Sequence, residues 1–273
     1  VPGQPSFDYD RDAPLDVRTV GQHEHDGVIE RLFSYTNPYG QRRVAEIIGP
    51  ASAQPRAAIL YVHWYEPEAH DSNRTQFREE AAQLARRGAI ALLVETIWSD
   101  RDWFLKRTQA DDFASSVRQA VELRQAMDLL LAQDGANPAR FAYVGHDFGA
   151  MYGVLMGQAD PRPTCYALMA GTPRFSDWYL YYPRLEGAAR AAFVAEMAPL
   201  DPIGHVAALA PAPLLFQFGR DDPHVPIERA QSFFDAAAEP KQIRWYDAGH
   251  GLSQQATHDR VSWLAQQLAL SDA

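Results

Sequence analysis

The run Gly145-His146-Asp147-Phe148-Gly149 lies directly between an apolar stretch at 141–144 and a helical stretch opening near Phe148. A chain that passes at once from strand to helix has no room for side chains two positions either side of the turn's central residue. Glycine at both places therefore predicts a sharp strand-turn-helix with Asp147 at its tip. The Gly-x-x-x-Gly spacing alone recurs by chance; the strand before it and the helix after it give it meaning.

The surrounding pattern agrees with such a turn. Apolar strands are expected at 57–62, 89–94, 141–144, 166–169, 214–218 and 243–245. Helices are expected at 75–87, closed by Gly88, at 111–131, from about 148, from about 226 and after His250. Continuous apolar strands alternating with helices call for a mostly parallel sheet covered on both faces, an α/β fold. Residues 28–35 and 42–48, separated by Asn37-Pro38-Tyr39-Gly40, read as an antiparallel hairpin at its edge. Residues 1–26 show neither period and are expected as an irregular arm. Residues 172–205 interrupt the alternation and carry Trp178, Tyr179, Tyr181 and Tyr182. They are expected as a small cap-like insertion over the carboxyl ends of the strands, where open α/β sheets keep ligands. Nothing in 273 residues requires more than one domain, 1–273.

Charge and composition exclude several classes. A net charge of -10 and a pI near 5.3 disfavour nucleic acid and anionic membranes, both of which require clustered Lys and Arg. No apolar stretch is long enough to span a bilayer and residues 1–5 lack a signal pattern, so a cytoplasmic protein is expected; the missing initiator Met leaves open an export signal already removed. The single cysteine, Cys165, falls in an apolar strand and reads as packing. His23 and His25 have metal-ligand spacing but no further ligand in register, so no metal is expected. A small-molecule substrate and no cofactor complete the expectation.

Two further loops extend the elbow into a constellation. Gly219-Arg220-Asp221-Asp222-Pro223-His224-Val225-Pro226 follows a late strand, and Asp247-Ala248-Gly249-His250-Gly251 follows the last one. With the elbow, these resemble the nucleophile, acid and histidine loops of the α/β-hydrolase superfamily, in that superfamily's order. The resemblance covers roughly residues 57–268, and Tyr61-Val62-His63-Trp64-Tyr65 falls where such proteins carry an oxyanion loop. Length and opening hairpin look most like the dienelactone-hydrolase-like branch, whose elbow residue is usually Cys or Ser. Aspartate at the elbow is similar instead to epoxide hydrolases and haloalkane dehalogenases, and it changes the chemistry. A carboxylate attacking an ester would form a mixed anhydride that simply reverses, whereas attack on a saturated carbon leaves a stable alkyl ester.

The resemblance implies Asp147 as nucleophile, His250 as base for water and Asp222 as its orienting acid, with Asp221 the rival for that last role. It implies oxyanion donors on the backbone at Trp64 and Phe148. An epoxide is the first electrophile, its oxygen met by a tyrosine among Tyr65, Tyr179, Tyr181 and Tyr182, whose alternative role is packing. A halide comes second: Trp64 and Trp98 carry indole donors, but Phe148, directly after the elbow, has none. From other classes, Asp147 could serve as base in a lyase or isomerase, or the fold could only bind a ligand. Free N–H groups and the helix dipole predict an ionised Asp147 near neutrality; its bland alternative is a helix cap. A monomer or small homo-oligomer is implied.

Overall fold

The computed structural model describes residues 5–51, 56–69, 71 and 73–270. In chain order the strands are β1 (Arg18–His25), β2 (Val28–Thr36), β3 (Arg42–Pro50), β4 (Arg56–Val62), β5 (Ala89–Val94), β6 (Ala136–His146), β7 (Cys165–Met169), β8 (Leu214–Gly219) and β9 (Lys241–Tyr246). The helices are α1 (Arg78–Ala85), α2 (Trp103–Lys106), α3 (Gln109–Leu131), α4 (Phe148–Ala159), α5 (Ser176–Tyr179), α6 (Gly187–Met197), α7 (Ile227–Ala236) and α8 (Gln254–Gln267). The strands form one sheet in the order β1-β2-β3-β5-β4-β6-β7-β8-β9. From β5 to β9 every pairing is parallel, whereas β1, β2 and β3 run antiparallel and join through β3 to β5.

The irregular arm expected at 1–26, of which residues 1–4 lie outside the described residues, is corrected over residues 18–25, which form β1. Its side chains are exposed except at Gly21, so no apolar period marks it. What makes it a strand is the backbone ladder to β2, with a bulge between Thr19 and Gly21. Ahead of β1, Phe7 and Leu15 pack against the core.

Alternation along each strand divides the core into two layers. On β4, Ala58, Leu60 and Val62 face the layer containing α3, α4 and α7, while Ala57, Ile59 and Tyr61 face that of α1 and α8. Under the second layer lies a buried ion pair, Arg260 of α8 with Glu80 of α1, at 3.1 Å from Nε to either carboxylate oxygen. Tyr61 Oη donates to Glu80 (3.2 Å), and Arg260 Nη1 donates to Gln217 of β8 (2.8 Å), whose Nε2 donates to Tyr246 Oη (2.9 Å).

Residues 172–205 carry α5 and α6 beyond the end of β7. Arg107, paired with Asp112, donates to the carbonyls of Tyr179 and Tyr182 and lays its guanidinium over the rings of Phe104 (4.6 Å) and Tyr179 (4.7 Å). One side chain thus ties this segment to the start of α3. No helix among the described residues is long and apolar enough to cross a membrane.

Candidate active site

β6 ends at His146 and α4 begins at Phe148, so Asp147 alone makes the turn, at φ 56° and ψ -115°. A left-handed φ costs a non-glycine residue about 1–3 kcal/mol and persists only where its surroundings enforce it. They do so here. The Asp147 N–H donates to the Met169 carbonyl at 2.8 Å. A Cβ at Gly145 would come within 2.3 Å of the Gly149 carbonyl oxygen, and one at Gly149 within 2.2 Å of that of Val62. The two glycines are thus where the strand, the helix and β4 make their closest approach.

The Asp147 side chain does not cap α4. It is 2% exposed, and its Oδ1 is buried without a hydrogen-bond partner. Burial pushes its pKa up to about 7, against the opposing pull of the His250 charge and the backbone N–H groups of Phe148 and Tyr65. This corrects the expectation of an aspartate ionised near neutrality: desolvation outweighs the N–H groups and the helix dipole, leaving Asp147 poised between acid and carboxylate.

His250, after β9, accepts this arrangement from the other side. Its Nδ1 lies 2.8 Å from Asp222 Oδ2, while its Nε2 is buried with no partner. Asp222, at the end of β8, is itself fixed by the N–H groups of His224 (2.8 Å) and Val225 (3.1 Å) on Oδ1. Asp221 is exposed and does not reach the histidine. Burial opposes charge on His250, but the Asp222 hydrogen bond and the Asp147 charge outweigh it and raise its pKa. The Asp222 carboxyl sits below its usual range: burial pushes it up, and the His250 and backbone hydrogen bonds more than offset that.

The loop after β4 departs from expectation at Trp64. Its N–H donates to Gln76 Oε1 (3.1 Å), and the backbone N–H of this loop that favours charge on Asp147 is that of Tyr65, one residue on. The Trp64 indole instead lies flat on His250, with centroids 5.1 Å apart at 12°, and on His146 at 4.7 Å. Gln76 also meets His146 Nδ1 (2.7 Å), and His146 Nε2 donates to the His250 carbonyl (2.9 Å). This chain ties oxyanion loop, elbow and histidine loop together.

The aromatic candidates separate sharply. Tyr179 is wholly buried, its hydroxyl bonded to Tyr152 Oη (2.6 Å) and Ser116 Oγ (3.0 Å), so it packs rather than donates to a ligand. Tyr65 Oη donates to the Arg101 carbonyl (2.9 Å). Trp98 is buried with its indole N–H on the His63 carbonyl (3.1 Å), which removes it as a halide donor. Tyr182 is 54% exposed. Tyr181 reaches His224 Nδ1 with its hydroxyl (3.5 Å), and the His224 ring stands edge-on to His250 at 5.2 Å.

Trp178 has no site role in the sequence reading. Its ring stands 5.5 Å from that of His250 at 66° and 5.8 Å from that of Phe148, and its indole N–H is buried with no acceptor. Trp178, Asp147 and His250 thus each bring an unpaired buried polar atom to this end of the sheet.

Comparison with solved structures reports on the frame around these residues. An acetyl xylan esterase from Paenibacillus sp. R4 superposes with a TM-score of 0.76 at 14% identity, over 93% of this chain and 89% of that one. Acetyl xylan esterase 1 from Thermoanaerobacterium sp. JW/SL YS485 gives 0.73 at 12%, over 96% and 90%. This is the α/β-hydrolase fold. An S-formylglutathione hydrolase from Agrobacterium tumefaciens shares it, at 0.68 and 17% identity over 92% and 99% of the two chains. No family model and no curated protein sequence matches the chain. At such identities the likeness concerns the α/β-hydrolase fold and not the chemistry at its elbow.

Proposed function

We propose that this chain is a hydrolase in which Asp147 attacks a saturated carbon, forming an alkyl ester that water then cleaves. One observation carries the reading: the elbow residue is a buried carboxyl that caps nothing, with one oxygen unpaired, the N–H groups of Tyr65 and Phe148 turned to it, and a histidine with free Nε2 whose charge acts on it. In the first step a carboxylate oxygen displaces the leaving atom in line. In the second, His250 takes a proton from water, the hydroxide adds to the Asp147 carboxyl carbon, and Tyr65 and Phe148 donate to the oxyanion. Collapse releases the alcohol and restores the carboxylate. Asp222 fixes the imidazole tautomer throughout.

Esterase chemistry is not carried over from the fold neighbours, because an acyl-aspartate would be an anhydride. An epoxide is the first electrophile, since its opened oxygen needs a proton and Tyr181, backed by His224, is the cap tyrosine beside the catalytic histidine. The second reading, an alkyl halide, is favoured by Trp178: an indole N–H stabilises a departing anion without giving up a proton. The dienelactone-hydrolase-like branch remains part of this proposal as the lineage to which the opening hairpin points.

The test is His250→Gln with a panel of epoxides and haloalkanes, followed by mass spectrometry of the Asp147 peptide. An epoxide adds its whole mass, because ring opening expels nothing. A haloalkane adds its mass less that of the hydrogen halide. A substrate turned over by the native enzyme that leaves Asp147 unmodified in the variant would overturn the reading in favour of a base or a binding role.

A further inference from the structure

A polar pocket of about 290 Å³ lies between α5, the start of α6 and Arg229 of α7. Three guanidinium groups line it, Arg184, Arg190 and Arg229, against two carboxyls, Asp177 and Glu186. In a chain of net charge -10 this local excess of one positive charge runs against the whole. Arg229 is engaged, 3.6 Å from Asp177 Oδ1. Arg184 and Arg190 have no ion-pair partner among the described residues, and both are exposed. The second oxygen of Asp177, Oδ2, is buried and accepts no hydrogen bond.

We propose that this pocket binds a small hydroxycarboxylate, its carboxylate taken by Arg184 and Arg190 and its hydroxyl donated to Asp177 Oδ2. Guanidinium groups match a carboxylate in shape and charge. The excess of one positive charge suits a monoanion and not a dianion. A buried acceptor left open asks for a neutral donor, which a hydroxyl supplies and a bare fatty acid does not. The pocket shares a wall with the candidate active site: Tyr181 lines it, packs on Trp178 at 5.4 Å and reaches His224. The binding claim does not rest on Asp147 being a nucleophile.

Isothermal titration with sodium 3-hydroxybutyrate, sodium butyrate and inorganic phosphate tests it directly. Native protein is expected to bind 3-hydroxybutyrate with a Kd of about 1–10 mM and butyrate about 5-fold more weakly. Arg184→Ala/Arg190→Ala, at exposed positions that leave the thermal melt unchanged, is expected to weaken both by about 10-fold or more. Asp177→Ala is expected to erase the difference between the two ligands. No heat of binding from 3-hydroxybutyrate up to about 50 mM, binding unaltered in the double-arginine variant, or phosphate binding more tightly than 3-hydroxybutyrate would each overturn the proposal.

Discussion

Two of the buried polar clusters in this fold are built on opposite terms. Between α1 and α8, Glu80, Arg260, Gln217, Tyr61 and Tyr246 answer one another donor for acceptor. Beyond the carboxyl ends of β6, β7 and β9, Asp147 Oδ1, Trp178 Nε1 and His250 Nε2 are buried and answer nothing. An unpaired buried polar atom costs about 1–3 kcal/mol, and three of them at one end of the sheet point to a use. Asp147 is also one of seven non-glycine residues at positive φ among the described residues, whereas Glu80 and Arg260 sit on regular helices. The first cluster accounts for cohesion and the second for chemistry, and substitutions should separate the two.

The largest effect is expected at the elbow. Asp147→Ala should lower turnover by about 10⁴-fold or more while the thermal melt holds or rises. Next, Arg260→Met strands Glu80 in the core and should cost about 3–5 kcal/mol in urea unfolding, with kcat per folded molecule unchanged. An Asp147 variant that unfolds the protein, or an Arg260 variant that abolishes catalysis in folded protein, would dissolve the contrast.

Smaller effects sharpen it. The folded pKa of Asp147 lies above its ordinary value of 3.8, so the fold prefers the neutral acid, and the stability present below that value is lost as pH rises through about 7. Asp147→Asn removes the penalty and should raise stability by about 4 kcal/mol near about pH 8 and leave it nearly unchanged near about pH 4, read by denaturant unfolding at the two pH values. The rate of enzyme alkylation should rise with pH through about 7, as the nucleophile ionises. Trp178→Phe keeps the ring and deletes the orphan donor; kcat for haloalkanes should fall by about 10- to 100-fold with stability within about 0.5 kcal/mol of native. Tyr181→Phe should suppress opening of epoxides and spare release of halide.

The sequence made the centre of the molecule readable because the elbow is a local event. Gly145 and Gly149 are dictated by approaches under 2.5 Å, and that demand shows in five consecutive residues. The loops bearing Asp222 and His250 were readable for the same reason, and apolar strands buried on both faces announced the sheet. What depends on tertiary packing was not readable. β1 is a strand through its ladder alone, so its polar residues carry no period. The N–H of this loop that favours charge on Asp147 comes from Tyr65, and Gln76, on a separate segment, takes that of Trp64. Nothing local distinguishes Tyr179, whose hydroxyl closes on Ser116 and Tyr152, from Trp178, whose N–H stays open. The charge of Asp147 was misjudged because dipole and cap geometry can be read along the chain, whereas desolvation cannot.

The central claim is that Asp147 is a nucleophile and not a base. Multiple-turnover hydrolysis in oxygen-18 water, with mass spectrometry of the Asp147 peptide, bears on it most directly. Water that attacks the carboxyl carbon of an alkyl-aspartate leaves one of its oxygens in the carboxylate, so label should accumulate in Asp147 with successive turnovers. Turnover that places label in the product and none in Asp147 would contradict the account.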